Sequence, residues 1–286
     1  MTTSLFIHQV IIGLNLSAIY ALMALGLTLM FGILGIVNLA HGVLYMLGAF
    51  GMYYIYDVLG LNFYLAMLAT TVTIGLFGLF MERALYRPVG GQFAPVIAIT
   101  LGLLVLFEAG GFLVFGYQSK GVTTPVTGTT TVLGFSINNY RLVVVLITVL
   151  LVAGLYYLIQ RTRTGRNMRA VEEDRIGAAL QGVNSDRINA ITFALGVGLA
   201  AAAGALIAPI YAIRPTMGSL PLLKAFMVIV LGGMGSIPGA ILGAIVIGLA
   251  DSLLAMTIGI ELAYIFTWGI IILLLIIRPR GLLGVY

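Results

Sequence analysis

Apolar residues fill this chain in long runs that are separated by short polar connections. A transmembrane helix needs about 20 apolar residues. Eight runs approach or exceed that length, namely 9–31, 36–56, 62–81, 94–116, 141–160, 188–212, 237–256 and 260–277. A shorter run covers 222–231. The pattern predicts an all-α polytopic membrane protein with about eight, and at most about ten, transmembrane helices in a single domain over residues 1–286.

One segment, 161–187, interrupts this pattern and is called the charged segment below. It holds six of the fourteen Lys and Arg residues and four of the nine acids. Within it, residues 167–181 combine apolar side chains at helical spacing with charges of both signs, which predicts a short amphipathic helix that ends at Gly182. Mixed charge favours docking into a protein groove over binding to anionic lipid. A solvated surface helix is the alternative.

The distribution of cations predicts the orientation of the chain in the membrane. Arg83, Arg87, the charged segment, Arg278 and Arg280 place ten cations on one side, and four remain for the other. Because cytoplasmic loops carry the excess of Lys and Arg, we expect the charged segment and the C-terminus in the cytoplasm. The side of the N-terminus stays open, since the run 222–231 either crosses fully or re-enters. No basic residue precedes Arg83, so the first apolar run is expected to be retained as a span.

Two glycine-rich clusters, 32–42 and 231–240, lie between apolar runs that are too close for an ordinary aqueous loop. Backbone that leaves a helix at membrane depth is buried in protein or lines a water-filled cavity. The clusters therefore predict broken or re-entrant elements beside a translocation path, and their presence in both halves of the chain suggests an inverted repeat. Tight turns between adjacent spans are the alternative.

Candidate path residues are the polar and helix-breaking members of these clusters and one ionisable residue within a span. They are Asn38, His41, Gly42, Glu108, Gly232, Gly233, Gly235 and Ser236. Ionisable groups at membrane depth are functional candidates by default. For His41 and Glu108, a packing role between neighbouring helices is the alternative.

Several classes of function find little support in the composition. The chain has no Cys, two His residues and no glycine-rich phosphate loop that ends in Lys and Ser or Thr. We therefore expect no metal site, no cofactor, no ATP site and no catalytic residue in this chain. The net charge of +5 follows from cations beside membrane ends rather than from nucleic-acid binding.

Specific motifs along nearly the whole chain resemble the permease subunits of branched-chain amino acid ABC importers, the LivH type. The first three are Tyr20–Thr28, Asn38–Gly42 and Glu82–Pro88. The others are Gly165–Ala170, Glu173–Asp174, Gly182–Asn184, Asp186–Arg187, Lys224–Phe226, Leu231–Ala240 and Arg278–Gly284.

The resemblance implies half of an importer channel in a bacterial or archaeal cytoplasmic membrane, and it names the partners. These are the lipid bilayer, a second permease subunit of the LivM type, two ATPase subunits and an external substrate-binding protein. It also implies that the charged segment docks in an ATPase cleft through Gly165, Arg166, Arg169, Ala170, Glu172, Glu173, Asp174, Ala178, Ala179 and Gly182. The general motif of this element, Glu-Ala-Ala followed after three residues by Gly, is not kept, because the glutamate and the spacing differ.

The expected cargo is a branched-chain amino acid that is carried inward by alternating access. Similar importers for urea, short amides or aromatic acids are the alternative within the class. A passive channel or facilitator is the alternative from another class, and an intramembrane enzyme is a third. The charged segment distinguishes them, because a channel has no need of a mixed-charge helix that binds an ATPase.

Overall fold

The computed structural model describes residues 3–132, 135–278 and 281–283. In this part of the chain, helices account for nearly all regular structure, with one two-stranded antiparallel hairpin between them. The helices are α1 Thr3–Leu29, α2 His41–Met52, α3 Phe63–Met81, α4 Phe93–Phe115, α5 Asn139–Arg161, α6 Arg163–Glu173, α7 Arg175–Leu180, α8 Ser185–Ile207, α9 Ser219–Gly232, α10 Ile237–Ile258 and α11 Ile260–Ile277. The strands are β1 Thr129–Val132 and β2 Phe135–Asn138. Short π-helical turns follow α1, α2 and α3, at Met30–Leu34, Tyr53–Val58 and Glu82–Tyr86, and a 3-10 turn follows at Arg87–Val89.

Six helical stretches of the described chain are long and apolar enough to cross a membrane. They are Leu5–Leu34, Phe63–Val89, Phe93–Phe115, Asn139–Arg161, Ser185–Ile207 and Ile237–Ile258. The protein is therefore an all-α polytopic membrane protein, as predicted. The predicted number of eight to ten helices is not confirmed. Two of the predicted runs form helices that are short for a span, α2 with 12 residues and α9 with 14.

Polar contacts between helices identify one end of the bundle. Asn15 Nδ2 donates to the carbonyl oxygen of Arg141 at 3.1 Å, and Tyr140 Oη donates to that of Leu206 at 2.7 Å. These contacts place the start of α5 and the end of α8 together beside the hairpin, at what we call the hairpin end, and they place Asn15, in the middle of α1, next to the start of α5. The charged segment lies at the other end, called the charged end. It follows that α1 and α5 run in one direction and α8 in the opposite direction.

Helix α8 lies at the centre of the bundle, packed against α1, α2 and α3. Most of the helix is buried, and about half of its buried residues are glycine or alanine, including the run Ala200–Ala205. A Cβ atom on Gly204 would overlap the carbonyl oxygen of Tyr45 on α2, and one on Gly48 would overlap that of Ala201. Backbones in direct contact give close van der Waals packing, which replaces the hydrophobic drive that lipid does not provide.

The short helices α2 and α9 both begin inside the bundle after a non-helical segment, 35–40 and 208–218. The start of α2 lies well within the length of α1, because His41 Nε2 is 3.2 Å from the carbonyl oxygen of Met23. The starts of the two short helices meet, since a Cβ atom on Gly218 would overlap the carbonyl oxygen of Gly42. The order of long helix, non-helical segment, short helix and long helix thus occurs twice. It occurs once in α1–α3 and once, in the opposite direction, in α8–α10.

Candidate functional site

The charged segment forms two helices rather than the single helix predicted for 167–181. The division is at Asp174, which has an extended backbone and whose side chain accepts a hydrogen bond from the Ile176 amide at 3.0 Å, capping α7. The predicted end at Gly182 is confirmed. Gly182 has a φ of +81°, and the amides of Gly182 and Val183 donate to the carbonyls of Ala179 and Ala178, which is a Schellman motif.

Helix α6 is held firmly against the end of α5. Met168 and Val171 are buried, and Arg169 Nη1 donates to the carbonyl oxygen of Ile159. At Gly165 the backbone lies so close to α5 that a Cβ atom would overlap the carbonyl oxygens of Leu158 and Ile159. A force on this element is therefore passed directly to α5.

Glu172 joins α6 to both glycine-rich clusters. A Cβ atom on Gly32 would lie 2.8 Å from Glu172 Oε1, and one on Gly235 would lie 3.6 Å from the same oxygen. Glu172 and Gly235 line a small cavity together with Thr28 and Arg169. Partial burial raises the pKa of the Glu172 carboxyl above its usual value, and the nearby Arg169 guanidinium opposes this rise.

The raised pKa of Glu172 predicts a pH-dependent effect of removing its charge. A carboxyl with a raised pKa in the folded protein destabilises that state when ionised, so stability increases as the pH falls through this pKa. Glu172→Gln should therefore raise the thermal unfolding midpoint at about pH 7 and have little effect at about pH 4, where the native carboxyl is largely protonated. Thermal unfolding of the purified protein in detergent at both pH values measures this. A higher midpoint at both pH values by the same amount would contradict the prediction.

Helix α7 carries a pair of exposed aliphatic side chains on the part of the charged segment that faces away from the bundle. Ile176 is 75% exposed and Leu180 is 83% exposed, and the two lie one turn apart. Glu173, Asp174 and Arg175 directly precede them in the chain and are exposed as well. Such a pair bordered by charge at a polar end of the molecule is typical of a protein interface.

The other predicted coupling residues take different positions around this pair. Arg166, Ala179 and Gly182 are exposed, Ala170 is partly buried, and Gly165 and Ala178 are buried. The sequence pattern placed Ile176 and Leu180 on the apolar face together with Met168 and Val171. The break at Asp174 instead turns them away from the bundle.

The first glycine-rich cluster is held by polar contacts inside the bundle. Asn38 Oδ1 accepts hydrogen bonds from the Ala40 amide at 3.0 Å and from Tyr86 Oη at 3.3 Å. His41 is fully buried against Met23, and its Nδ1 has no hydrogen-bond partner among the described residues. Asn38 thus fixes the backbone where it leaves the helix.

The second cluster forms a tight turn at the charged end. Gly232 lies directly against Gly239, and Gly233 and Gly235 have φ angles of +103° and +87°, which favour glycine. Ser236 Oγ accepts a hydrogen bond from the Gly239 amide at 3.1 Å and caps α10. Gly235 of this cluster lies beside Gly32 of the first cluster, and both lie beside Glu172.

Glu108 lies on α4, partly buried, beside the starts of the two short helices. It borders a small cavity together with Gly42, Pro215 and Gly218. The structure therefore brings Glu108 and Gly42 together, but it does not bring them to Gly232, Gly233, Gly235 or Ser236.

A larger cavity of about 520 Å³ opens in the half of the bundle nearer the hairpin end. Its wall is mostly apolar, with four tyrosines, Tyr20, Tyr45, Tyr211 and Tyr264. It also carries the ion pair between Lys224 of α9 and Asp251 of α10, with Nζ and Oδ1 2.7 Å apart. None of the eight predicted path residues is among those that line this cavity.

Lys224 and Asp251 belong to this site but were not among the predicted path residues. Both side chains are nearly buried, at 5% and 7% exposure. The available signal was a single charge of opposite sign in each of two neighbouring apolar runs, 222–231 and 237–256. Ionisable residues inside apolar runs usually pair with one another.

Comparison with known proteins identifies the chain's relatives. A family model described as "Branched-chain amino acid transport system / permease component" matches residues 9–275. The chain is 34% identical to the high-affinity branched-chain amino acid transport system permease protein BraD of Pseudomonas aeruginosa, with 98% of this chain and 96% of BraD covered. It is 33% identical to the corresponding protein LivH of Escherichia coli K12, with the same coverage. A probable LivH permease of Methanocaldococcus jannaschii is 28% identical over 94% of this chain and 90% of its own length. No solved structure matches the chain significantly.

Proposed function

The chain belongs to the family of branched-chain amino acid transport permeases, and from this premise we propose how its structure moves cargo. The resemblance found in the sequence is thereby confirmed. The protein is a permease subunit of an ABC transport system, and ATP hydrolysis belongs to separate subunits of such systems. Its cargo is a branched-chain amino acid, which it carries inward by alternating access.

The proposed assembly contains this chain, a second permease subunit of the LivM type, two ATPase subunits and an external substrate-binding protein in a cytoplasmic membrane. Residues 1–286 form one permease domain that holds no cofactor, and 161–187 is its coupling segment. The exposed Ile176 and Leu180 on α7 support this assignment, since an apolar pair in water needs a partner surface. The preceding Glu173, Asp174 and Arg175 would set the orientation of the partner.

We propose that the charged end, with the C-terminus, faces the cytoplasm and that the N-terminus lies outside. The excess of Arg at the charged end supports this orientation. Helix α1 starts at the opposite end, since Asn15 in its middle lies beside Arg141 at the start of α5, and Gly32, just after its end, lies beside Glu172. This requires an odd number of crossings. Counting the short helices with the non-helical segments before them, α1–α5 and α8–α11 make nine crossings. The two oppositely directed triplets, α1–α3 and α8–α10, are the proposed inverted repeat.

The proposed mechanism uses the contacts of the charged segment. Closure of the ATPase subunits moves α7 through Ile176 and Leu180, and α6 transmits the motion because it is fixed to Ile159 of α5. Glu172 passes the motion to Gly32, just after α1, and to Gly235, just before α10, which belong to the two proposed repeats. The halves then rock about α8, and the small residues at the meeting point of α2 and α9, including Gly42 beside Glu108, form the narrow part of the path. In this mechanism Asn38 and His41 hold the break before α2, and Gly232, Gly233 and Ser236 form the hinge turn before α10.

Uptake by the reconstituted complex tests this function. Proteoliposomes that contain this chain, the second permease subunit and the ATPase subunits, with the binding protein outside and ATP inside, are expected to accumulate radiolabelled L-leucine. Replacing ATP by a non-hydrolysable analogue should abolish accumulation. Equal uptake with the analogue would instead support a passive facilitator. Accumulation of urea or of an aromatic acid in place of leucine would contradict the proposed cargo.

A further inference from the structure

We propose that the Lys224–Asp251 ion pair in the large cavity is a transient binding site for the charged groups of the amino acid cargo. In this site the cargo's carboxylate binds Lys224 and its ammonium group binds Asp251, while its side chain occupies the apolar part of the cavity. The inference rests on the proposed function and adds to it a place where the permease itself recognises a zwitterion.

The ion pair lies where a solute in the cavity reaches it. Lys224 and Asp251 both line the cavity of about 520 Å³, although little of either side chain is exposed. Asp251 is seven residues before the end of α10, or about 10 Å along the helix axis. The site is therefore inside the apolar part of the bundle, in the half nearer the hairpin end, which is the outer half in the proposed orientation.

Asp251 is oriented by groups from three other helices. Its Oδ1 accepts hydrogen bonds from Lys224 Nζ at 2.7 Å and from Thr267 Oγ1 at 2.8 Å. Its Oδ2 accepts one from Tyr20 Oη at 3.0 Å. With Tyr20 and Thr267 in place, the carboxylate keeps its position and part of its hydrogen bonding when Lys224 turns towards another anion. A carboxylate that is held in this way is prepared for a second cation.

Lys224 has capacity left for an anionic group. An ammonium group has three N–H donors, and among the described residues Lys224 Nζ donates a hydrogen bond to Asp251 alone. On another side its Nζ lies 4.7 Å from the centroid of the Tyr264 ring, a cation–π contact that leaves the remaining donors available. A carboxylate in the cavity can therefore bind Lys224 without first displacing another hydrogen-bond acceptor.

A purely structural role explains this pair poorly. Two buried charges usually stabilise a fold no more than a well-packed apolar pair of similar volume, because of the cost of removing both from water. Nearer the charged end, α9 and α10 already pack against each other through Gly232 and Gly239 and through Val228 and Gly243. The pair is better explained as a binding site. While the site is empty, the two charges neutralise each other. When a zwitterion binds, its ammonium and carboxylate groups add two charges, and the four charges then alternate in sign.

The remainder of the cavity fits an aliphatic side chain. Apolar residues of α1, α8, α9 and α10 line it, including Ile12, Leu16, Ile207, Leu220 and Met256. Apolar pockets with a few convergent polar groups are typical of small-molecule sites. A branched apolar side chain buries its surface there, whereas a neutral solute such as urea leaves both charges without partners.

The test compares single and double neutralisation of the pair in the complete reconstituted importer. Lys224→Met and Asp251→Asn each leave one unpaired charge and should lower uptake of radiolabelled L-leucine at least about tenfold. The double variant, Lys224→Met with Asp251→Asn, leaves no unpaired charge, so it should assemble with the ATPase subunits and hydrolyse ATP like the unmodified complex. Its leucine uptake should nevertheless stay at least about tenfold lower, because the cargo's charges have no partners. Uptake restored to within about twofold in the double variant would show that the pair is only structural and would overturn the inference.

Two further variants keep the result unambiguous. The charge-reversed variant, Lys224→Asp with Asp251→Lys, retains both charges and should transport more leucine than the double neutral variant; equal uptake by the two would contradict the inference. Neutralising both members of the other ion pair of the described chain, Glu82 and Arg87 with a distance of 3.0 Å, is the control. It also leaves no unpaired charge and lies outside the large cavity, so uptake should stay within about twofold. Failure of the unmodified complex to accumulate leucine would refute the proposed function itself, whereas normal uptake by the double neutral variant would refute the zwitterion site alone.

Discussion

Gly204→Ala should sharply lower the stability and yield of the folded protein, although alanine is the better helix former. Gly204 is inside the central helix α8, where a Cβ atom would overlap the carbonyl oxygen of Tyr45. Because that atom belongs to the backbone of α2, no side-chain rotation relieves the overlap, and α2 and α8 must separate. Overpacking of a core usually costs 1–3 kcal/mol, and contact with a backbone atom should bring the cost to about 3 kcal/mol or more. The thermal unfolding midpoint and the recovery of monodisperse protein in detergent measure this loss.

The matched control for this experiment is Gly102→Ala. Gly102 is also inside a helix, α4, but no heavy atom lies within 4 Å of the position that its Cβ atom would occupy. Helix propensity therefore acts alone there and favours alanine by up to about 1 kcal/mol. We expect an unchanged or slightly higher unfolding midpoint for Gly102→Ala. If Gly204→Ala behaves like Gly102→Ala, the close contact between α2 and α8 is not a determinant of stability.

The second large effect is expected from Ile176→Ala with Leu180→Ala on α7. Both side chains are mostly exposed, and alanine preserves the helix, so the fold and the unfolding midpoint of the isolated subunit should be retained. The proposed ATPase contact loses its apolar centre, which should weaken binding of the ATPase subunits at least about tenfold and lower ATP-dependent uptake accordingly. Co-purification with the tagged ATPase subunits, followed by titration of those subunits, measures the change in affinity.

An exposed aliphatic pair elsewhere on the same subunit provides the comparison. Leu146 and Leu150 on α5 have the same spacing as Ile176 and Leu180 and are also mostly exposed, but they lie within a span. Leu146→Ala with Leu150→Ala should leave ATPase binding unchanged. Equal binding of the ATPase subunits to both double variants would exclude α7 as the apolar centre of their interface.

The sequence predicted the membrane class and the position of most helices because long apolar runs have few alternatives in lipid. It did not reveal that the long run 36–56 contributes only a short helix, α2, because hydropathy measures apolarity and not where the backbone leaves the helix. The run 222–231, which forms much of α9, was already too short for a full span. The first glycine-rich cluster, 32–42, identified the break before α2, but the break before α9 lies at 208–218, outside the second cluster, which forms the turn between α9 and α10. Neither cluster indicated the contacts of these segments. Gly42 meets Gly218, which lies about 180 residues away in the chain, and nothing local in either segment specifies that partner.

In the charged segment, too, the sequence predicted one helix boundary and missed another. Gly182 was predictable as a helix end because glycine readily adopts a positive φ. The break at Asp174 was missed because one continuous helix would also have satisfied the apolar spacing, and an aspartate that caps a helix looks like any other acid in a charged run. Lys224 and Asp251 are individually visible as ionisable residues in apolar runs, but their pairing depends on the packing of α9 against α10.

The contact of Glu172 with both Gly32 and Gly235 has a consequence for leakage. Because one side chain lies beside both Gly32 and Gly235, neither of the two proposed repeats can shift at the charged end without disturbing the other. The inner mouth would then open and shut as a single unit under control of the ATP cycle. A membrane that stores energy as an ion gradient is protected by such simultaneous action, since an entrance that opened in two independent steps would let ions pass whenever one step occurred alone.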